Sequence, residues 1–145
     1  MEKTVEKSKT QKILRTGAFI ITFALSYFAV QYFFFNPGTI EEQMKDAAVE
    51  INKISPKMMD EYSRLDSATT IADKTFKYHY TLINMTKEEV HIDILTKFIR
   101  PEIIENARNS PELKIFRDNK ITVSYNYYDK NGEFITNIDV TPELY

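Results

Sequence analysis

Few residues in this chain have the types and spacing that chemistry requires. Its two histidines are His79 and His91. Glu88-x-x-His91 sets a carboxylate and an imidazole three residues apart on one helix face, the spacing used in di-metal carboxylate bundles. Such centres need a second copy of the motif and further carboxylates from facing helices. One copy is present, so a solvated helix face is expected, with no metal and no other cofactor. Asp60, Arg64 and Asp66 place an arginine between two aspartates. With no nucleophile or base partner beside them, they read as structural ion pairs at a strand entrance rather than as an acid–base group. Ser63, Ser67, Ser110 and Ser124 stand in no G-x-S-x-G context. Three glycines in all exclude a glycine-rich phosphate loop. The expectation is a protein that is not an enzyme.

Nine tyrosines offer recognition rather than catalysis. Tyr78, Tyr80, Tyr125 and Tyr127 alternate with polar residues along two strand-like runs and should lie in the core, with hydroxyls at its rim. Tyr62, Tyr128 and Tyr145 fall outside that pattern. They are candidates for an aromatic surface that meets a protein or stacks on glycan, or are simply scattered at the surface.

The elements that must hold these residues begin with an apolar run. From Gly17 to Phe35 there are nineteen residues without a charge. As a helix they would span about 28 Å, close to the hydrocarbon thickness of a bilayer. Tyr27, Phe28, Tyr32, Phe33, Phe34 and Phe35 crowd its far end, where aromatic rings suit the headgroup layer. Asn36-Pro37-Gly38 then stops the helix. Ala24-Leu25-Ser26 has the form of a signal-peptidase site, but cleavage there would leave most of the apolar run in place. Without cysteine a lipid anchor of the lipoprotein kind has no attachment point. The reading is an uncleaved signal anchor, residues 17–35. Residues 1–16 carry five basic and two acidic side chains, and residues 36–145 carry 14 basic and 19 acidic. Basic flanks stay in the cytoplasm. The expected organisation is therefore a cytoplasmic tail (1–16), one plasma-membrane span (17–35) and an extracytoplasmic domain (36–145). Ala18, Thr22 and Ser26 present small side chains at roughly helical spacing along the span, a seam on which two membrane helices could pack, in a homo-oligomer or against a partner.

The outer part is one domain's worth of chain. Its mild acidity argues against nucleic acid as a partner. Thr39-Ile40-Glu41-Glu42 is a capping box, and Ile40, Met44, Ala47, Ala48, Ile51 and Ile54 follow at helical spacing. Ser55-Pro56 begins an irregular segment or short helical turn. A strand is expected over 64–73 with a turn near Ala72-Asp73-Lys74. Its return alternates Phe76, Tyr78, Tyr80 and Leu82 against Lys77, His79 and Thr81. A second capping box, Thr86-Lys87-Glu88-Glu89, should open a helix carrying Val90, Ile94, Leu95 and Phe98. Pro101 should kink or restart that helix, with Ile103, Ile104 and Ala107 on its buried side. Ser110-Pro111 announces a further short helix. Ile121, Val123, Tyr125 and Tyr127 then alternate along one strand, and Phe134, Thr136, Ile138 and Val140 along its return. The fold class is α+β: after the membrane helix, an antiparallel sheet of two hairpins covered by helices, in the order α-ββ-αα(α)-ββ.

Asn52-Lys-Ile-Ser-Pro56-Lys-Met-Met-Asp60, then Ser63-Arg64-Leu65-Asp66 and the closing Tyr125, Tyr127 or Tyr128, Asp129 and Gly132, resemble a group of small bacterial envelope proteins. That group carries an N-x-x-x-P-x-x-x-D segment, an (S/T)-R-L-D strand start and a Y-x-Y-x-D-x-x-G hairpin. Some of its domains are similar to pilotin-like secretion accessories, which are protein-binding rather than catalytic. The resemblance covers roughly residues 45–141. Members often carry a cysteine pair in the second half, which this chain lacks, and no functional residue is carried over. What it implies is a membrane-anchored accessory domain that binds another envelope or membrane protein, in assembly, anchoring or regulation. The alternative is a module that senses a cell-wall fragment or small molecule outside the membrane.

Overall fold

The structure is a computed structural model that describes residues 38–72 and 74–145. The tail, the apolar run 17–35 and the seam of Ala18, Thr22 and Ser26 lie outside the described residues. Among those described, no helix is long and apolar enough to cross a membrane.

Helix α1 (Ile40–Ile54) opens with the expected capping box, in which Glu42 Oε2 accepts from the Thr39 amide at 2.9 Å and Thr39 Oγ1 accepts from the Glu42 amide at 3.3 Å. Its buried stripe is Met44, Ala47, Ala48 and Ile51. A cis Ser55–Pro56 bond leads into β1 (Lys57–Met58), a two-residue strand where the sequence suggested only an irregular or helical turn. Strands β2 (Ser63–Ile71) and β3 (Thr75–Leu82) form the first hairpin.

Between β3 and β4 the second capping box closes a single 3-10 turn, Lys87–Glu89, rather than a helix. Val90 turns extended and buries its side chain, so helix α2 (Ile92–Ile94) starts afresh beyond it. Pro101 leaves a wide turn behind it. Residues Leu95–Ile99 are π-helical and the Arg100 amide reaches back to Leu95 O, before α3 (Arg100–Asn109) resumes. Proline has no amide to close an i−4 bond and its ring crowds the carbonyl four residues back, which a widened turn relieves. A 3-10 turn (Pro111–Leu113) and α4 (Lys114–Asp118) complete the crossover.

Strands β4 (Thr122–Tyr128) and β5 (Phe134–Val140) form the second hairpin, with Gly132 at φ +81 in its turn, a conformation that suits glycine. The sheet order is β1-β2-β3-β4-β5. It is mixed, and this corrects the antiparallel expectation: β3 and β4 run parallel, from Thr75 opposite Thr122 to Thr81 opposite Tyr128. The helical crossover carries the chain back to the end at which β3 began, and a returning chain can only add a parallel neighbour. A second correction concerns β5. A register shift opposite Tyr127 and Tyr128 buries Ile135 and leaves Phe134 45% exposed, so alternation from Phe134 through Val140 does not hold.

One face of the sheet packs on the helices. Tyr78 stacks beside Tyr125 (ring centroids 5.8 Å) and Tyr80 beside Tyr127 (5.7 Å), each pair in register across the parallel strands. Phe116 of α4 meets Phe76 edge-on at 6.1 Å, and Ile103, Ile104 and Ala107 of α3 join the same core. The four tyrosines assigned to the core by alternation are all buried.

Candidate functional site

Among the described residues, the side chains on the opposite face of the sheet have each other and solvent as neighbours. Strand parity puts Thr69, His79 and Tyr128 there, on β2, β3 and β4 respectively. His79 Nε2 lies 2.9 Å from Thr69 Oγ1, and its Nδ1 lies 3.5 Å from the Tyr128 hydroxyl. The imidazole and the Tyr128 ring sit 6.1 Å apart, and Phe134 meets Tyr128 edge-on at 5.7 Å. The result is a row of three rings ending in an exposed phenylalanine, on a rim where strand β5 has no further strand beside it.

Burial lowers the His79 pKa, Lys77 lowers it further, and Asp66 opposes both. Its half-buried place on the strand favours the neutral ring. One ring nitrogen meets a threonine hydroxyl and the other a phenol.

Below this row the face is a lattice of short polar contacts. Asp66 is the extra residue of a bulge in β2; its Oδ1 lies 2.5 Å from Arg64 Nε and its Oδ2 accepts from Thr81 Oγ1. Asp60 is not part of that pair. Its carboxylate folds over its own loop, accepting from the Tyr62 and Ser63 amides at 2.7 and 2.9 Å and from Ser63 Oγ at 2.7 Å. Ser124 Oγ donates to Asp139 Oδ1 at 2.5 Å, and Asn126 Nδ2 donates to Tyr78 O at 3.3 Å.

The three tyrosines singled out from the sequence part company. Tyr128 is in the aromatic row. Tyr62 stands at the same end of the sheet, where its carbonyl accepts from the Ile83 amide at 2.9 Å. Tyr145 lies elsewhere and acts as a latch: its hydroxyl donates to Phe116 O and Ile121 O at 3.2 and 2.5 Å, and burial pushes its pKa up to about 12. Sequence reading missed Phe134 and His79 as members of the row. The sequence pattern places Phe134 in one alternating set with Thr136, Ile138 and Val140, and nothing in it marks the bulge that turns Phe134 outward. Glu88 and His91 are both exposed. Among the described residues, no group of three or more potential ligands is placed to hold a metal ion.

The residues of the envelope-protein resemblance have local tasks. Asn52 clasps the backbone of β2, its Nδ2 donating to Ala68 O at 2.9 Å and its Oδ1 accepting from the Ala68 amide at 2.7 Å. It takes the place of a strand partner where β1 has already ended. Pro56 opens β1, and Asp60 shapes the loop into β2.

Residues 39–135 match the family described as Domain of unknown function (DUF8479). The chain belongs to this family. No curated protein sequence matches it significantly. Among solved structures, the DUF8479 fold is similar to a Pseudomonas aeruginosa protein described as secreted, at 9% identity and TM-score 0.59, covering 74% of this chain and 98% of that one. It is similar also to the type II secretion system pilotin AspS of Vibrio cholerae (12% identity, TM-score 0.53, 72% and 91% covered). The Vibrio vulnificus type 2 secretion pilotin EpsS gives 8% identity, TM-score 0.54, and 72% and 89% covered. At these identities the DUF8479 domain shares a fold with the pilotins, an α+β sheet with helices on one side.

Proposed function

We propose that this protein is an accessory factor of the bacterial envelope, held in the plasma membrane by residues 17–35, whose outer domain binds another envelope or membrane protein. The binding surface is the open sheet face around His79, Tyr128 and Phe134. The observation that carries this reading is the ring row itself: three aromatic rings in contact on a sheet face that no other described element covers, ending in a phenylalanine that is 45% exposed. Aromatic side chains anchor protein interfaces because they remove much apolar area from water while losing little rotamer freedom. The pilotin fold, built for secretion accessories in the two Vibrio proteins, supports the same reading. On this view the protein is not an enzyme.

The test is a photo-cross-linking amino acid placed at Phe134 in the full chain, with Glu105 on the exposed side of α3 as control. A discrete protein adduct is expected from position 134 only, and Tyr128→Ala should abolish it. Equal adducts at both sites would refute the surface. Cross-linking to glycan instead would favour a module that senses cell-wall fragments. Topology is tested separately: alkaline phosphatase fused after Tyr145 should be active, since the basic flank lies before the span. Replacing Ala18, Thr22 and Ser26 by leucine should weaken any self-association through the membrane helix; unchanged association would reduce the span to a tether.

A further inference from the structure

The sheet has two ends, and the chain enters at one of them. Only Asn36, Pro37 and Gly38 separate the apolar run from the Thr39 cap of α1. Four residues, cap included, reach about 14 Å at most when fully extended. The first two turns of α1 line a cleft of about 290 Å³ with the tip of the β2–β3 hairpin: Glu41, Met44 and Lys45 on the helix, Ile71, Ala72 and Lys74 on the tip. Ile71 is 48% exposed and Ala72 is exposed beside it. The turn before β4 belongs to the same end, because the Thr122 amide donates to Lys74 O at 2.9 Å, and it brings the exposed Lys120.

The other end is acidic. Asp60, Glu61, Glu88, Glu89 and Glu133 gather around the exits of β3 and β4, with Lys87 and Lys130 among them. The near end is mixed in charge, with Lys45, Lys74 and Lys120 against Glu41, Glu42, Asp46, Asp73 and Asp118 in the same stretches of sequence, so the short link to the apolar run and the exposed Ile71 and Ala72 are what set it toward the membrane.

We propose that the β2–β3 hairpin tip at Ile71 and Ala72 rests in the phospholipid headgroup layer of the bilayer that holds residues 17–35. This inference rests on the membrane-anchor reading and adds an orientation to it. The strands then stand away from the membrane. Tyr128 and Phe134 lie at the distal end, about 20 Å of strand from Thr75, and the binding face is clear of lipid.

The chain has no cysteine, so single reporters can be placed without background. The full chain is reconstituted in vesicles of phosphatidylethanolamine and phosphatidylglycerol as Ile71→Cys, Ala72→Cys or Lys130→Cys, each labelled with an environment-sensitive fluorophore. Headgroup spin-labelled lipid is then added as quencher, and carbonate extraction is run on the same vesicles. Labels at 71 and 72 should lose most of their emission while the label at 130 keeps its own. Carbonate-resistant protein with all three labels equally bright overturns the orientation alone. Release by carbonate overturns the anchor reading and this proposal with it.

Discussion

The backbone amide of Lys87 donates to Asp129 Oδ2 at 3.1 Å, joining the first turn of the crossover to the β4–β5 turn 42 residues later. The same carboxylate accepts from the Asn131 and Glu133 amides, both at 2.8 Å, and is itself 1% exposed. These bonds, that to Glu133 foremost, lower its pKa.

Asp129→Ala leaves three amides without this acceptor and should lower Tm by roughly 10 °C. The pH dependence follows from the sign of the shift. An aspartate with a lowered folded pKa stabilises fully above its unfolded value near 3.9, and the contribution is lost as pH falls through the folded value. Glu89 and Glu143, also lowered, act in the same acid range. Acid unfolding of Asp129→Asn, followed by circular dichroism, should be shallower below about pH 4 than that of the parent. An identical slope would contradict the assignment.

His79 gives a separate window. Its pKa is lowered, chiefly by burial, so the unfolded chain binds the proton more readily. Its contribution is intact above the unfolded value near 6.5 and is lost as pH falls below that toward the folded value. The parent should lose stability between neutral pH and about pH 5, and His79→Gln should lose less over the same range. Urea melts at both pH values read this directly.

Asn52→Ala uncovers both the amide and the carbonyl of Ala68 on the β2 edge and should cost about 1–3 kcal/mol. Asn52→Asp keeps the acceptor but loses the donor, so an intermediate loss is expected. If both variants melt like the parent, the clasp is incidental.

Tyr80 runs the other way. Its hydroxyl is fully buried and has no hydrogen-bond partner among the described residues. A buried hydroxyl without a partner costs free energy, so Tyr80→Phe should be neutral or up to about 2 kcal/mol more stable. A loss above about 1 kcal/mol would show that the hydroxyl has a partner after all.

What the sequence determined by itself is whatever local geometry writes into local spacing. The capping box of Thr39 and Glu42, the buried stripe of α1, and the burial of Tyr78, Tyr80, Tyr125 and Tyr127 follow from periods of 3.6 and 2. The uncharged run and its basic flank are likewise readable without a fold. The tertiary structure alone decided the parallel pairing of β3 with β4, since a crossover's return direction is set by how its helices pack on the sheet and not by any residue within the strands. It decided the outward turn of Phe134, because a bulge is a disagreement in register between two strands and neither strand carries it alone. The same holds for the row of His79, Tyr128 and Phe134, which come from three strands and meet only because those strands lie side by side.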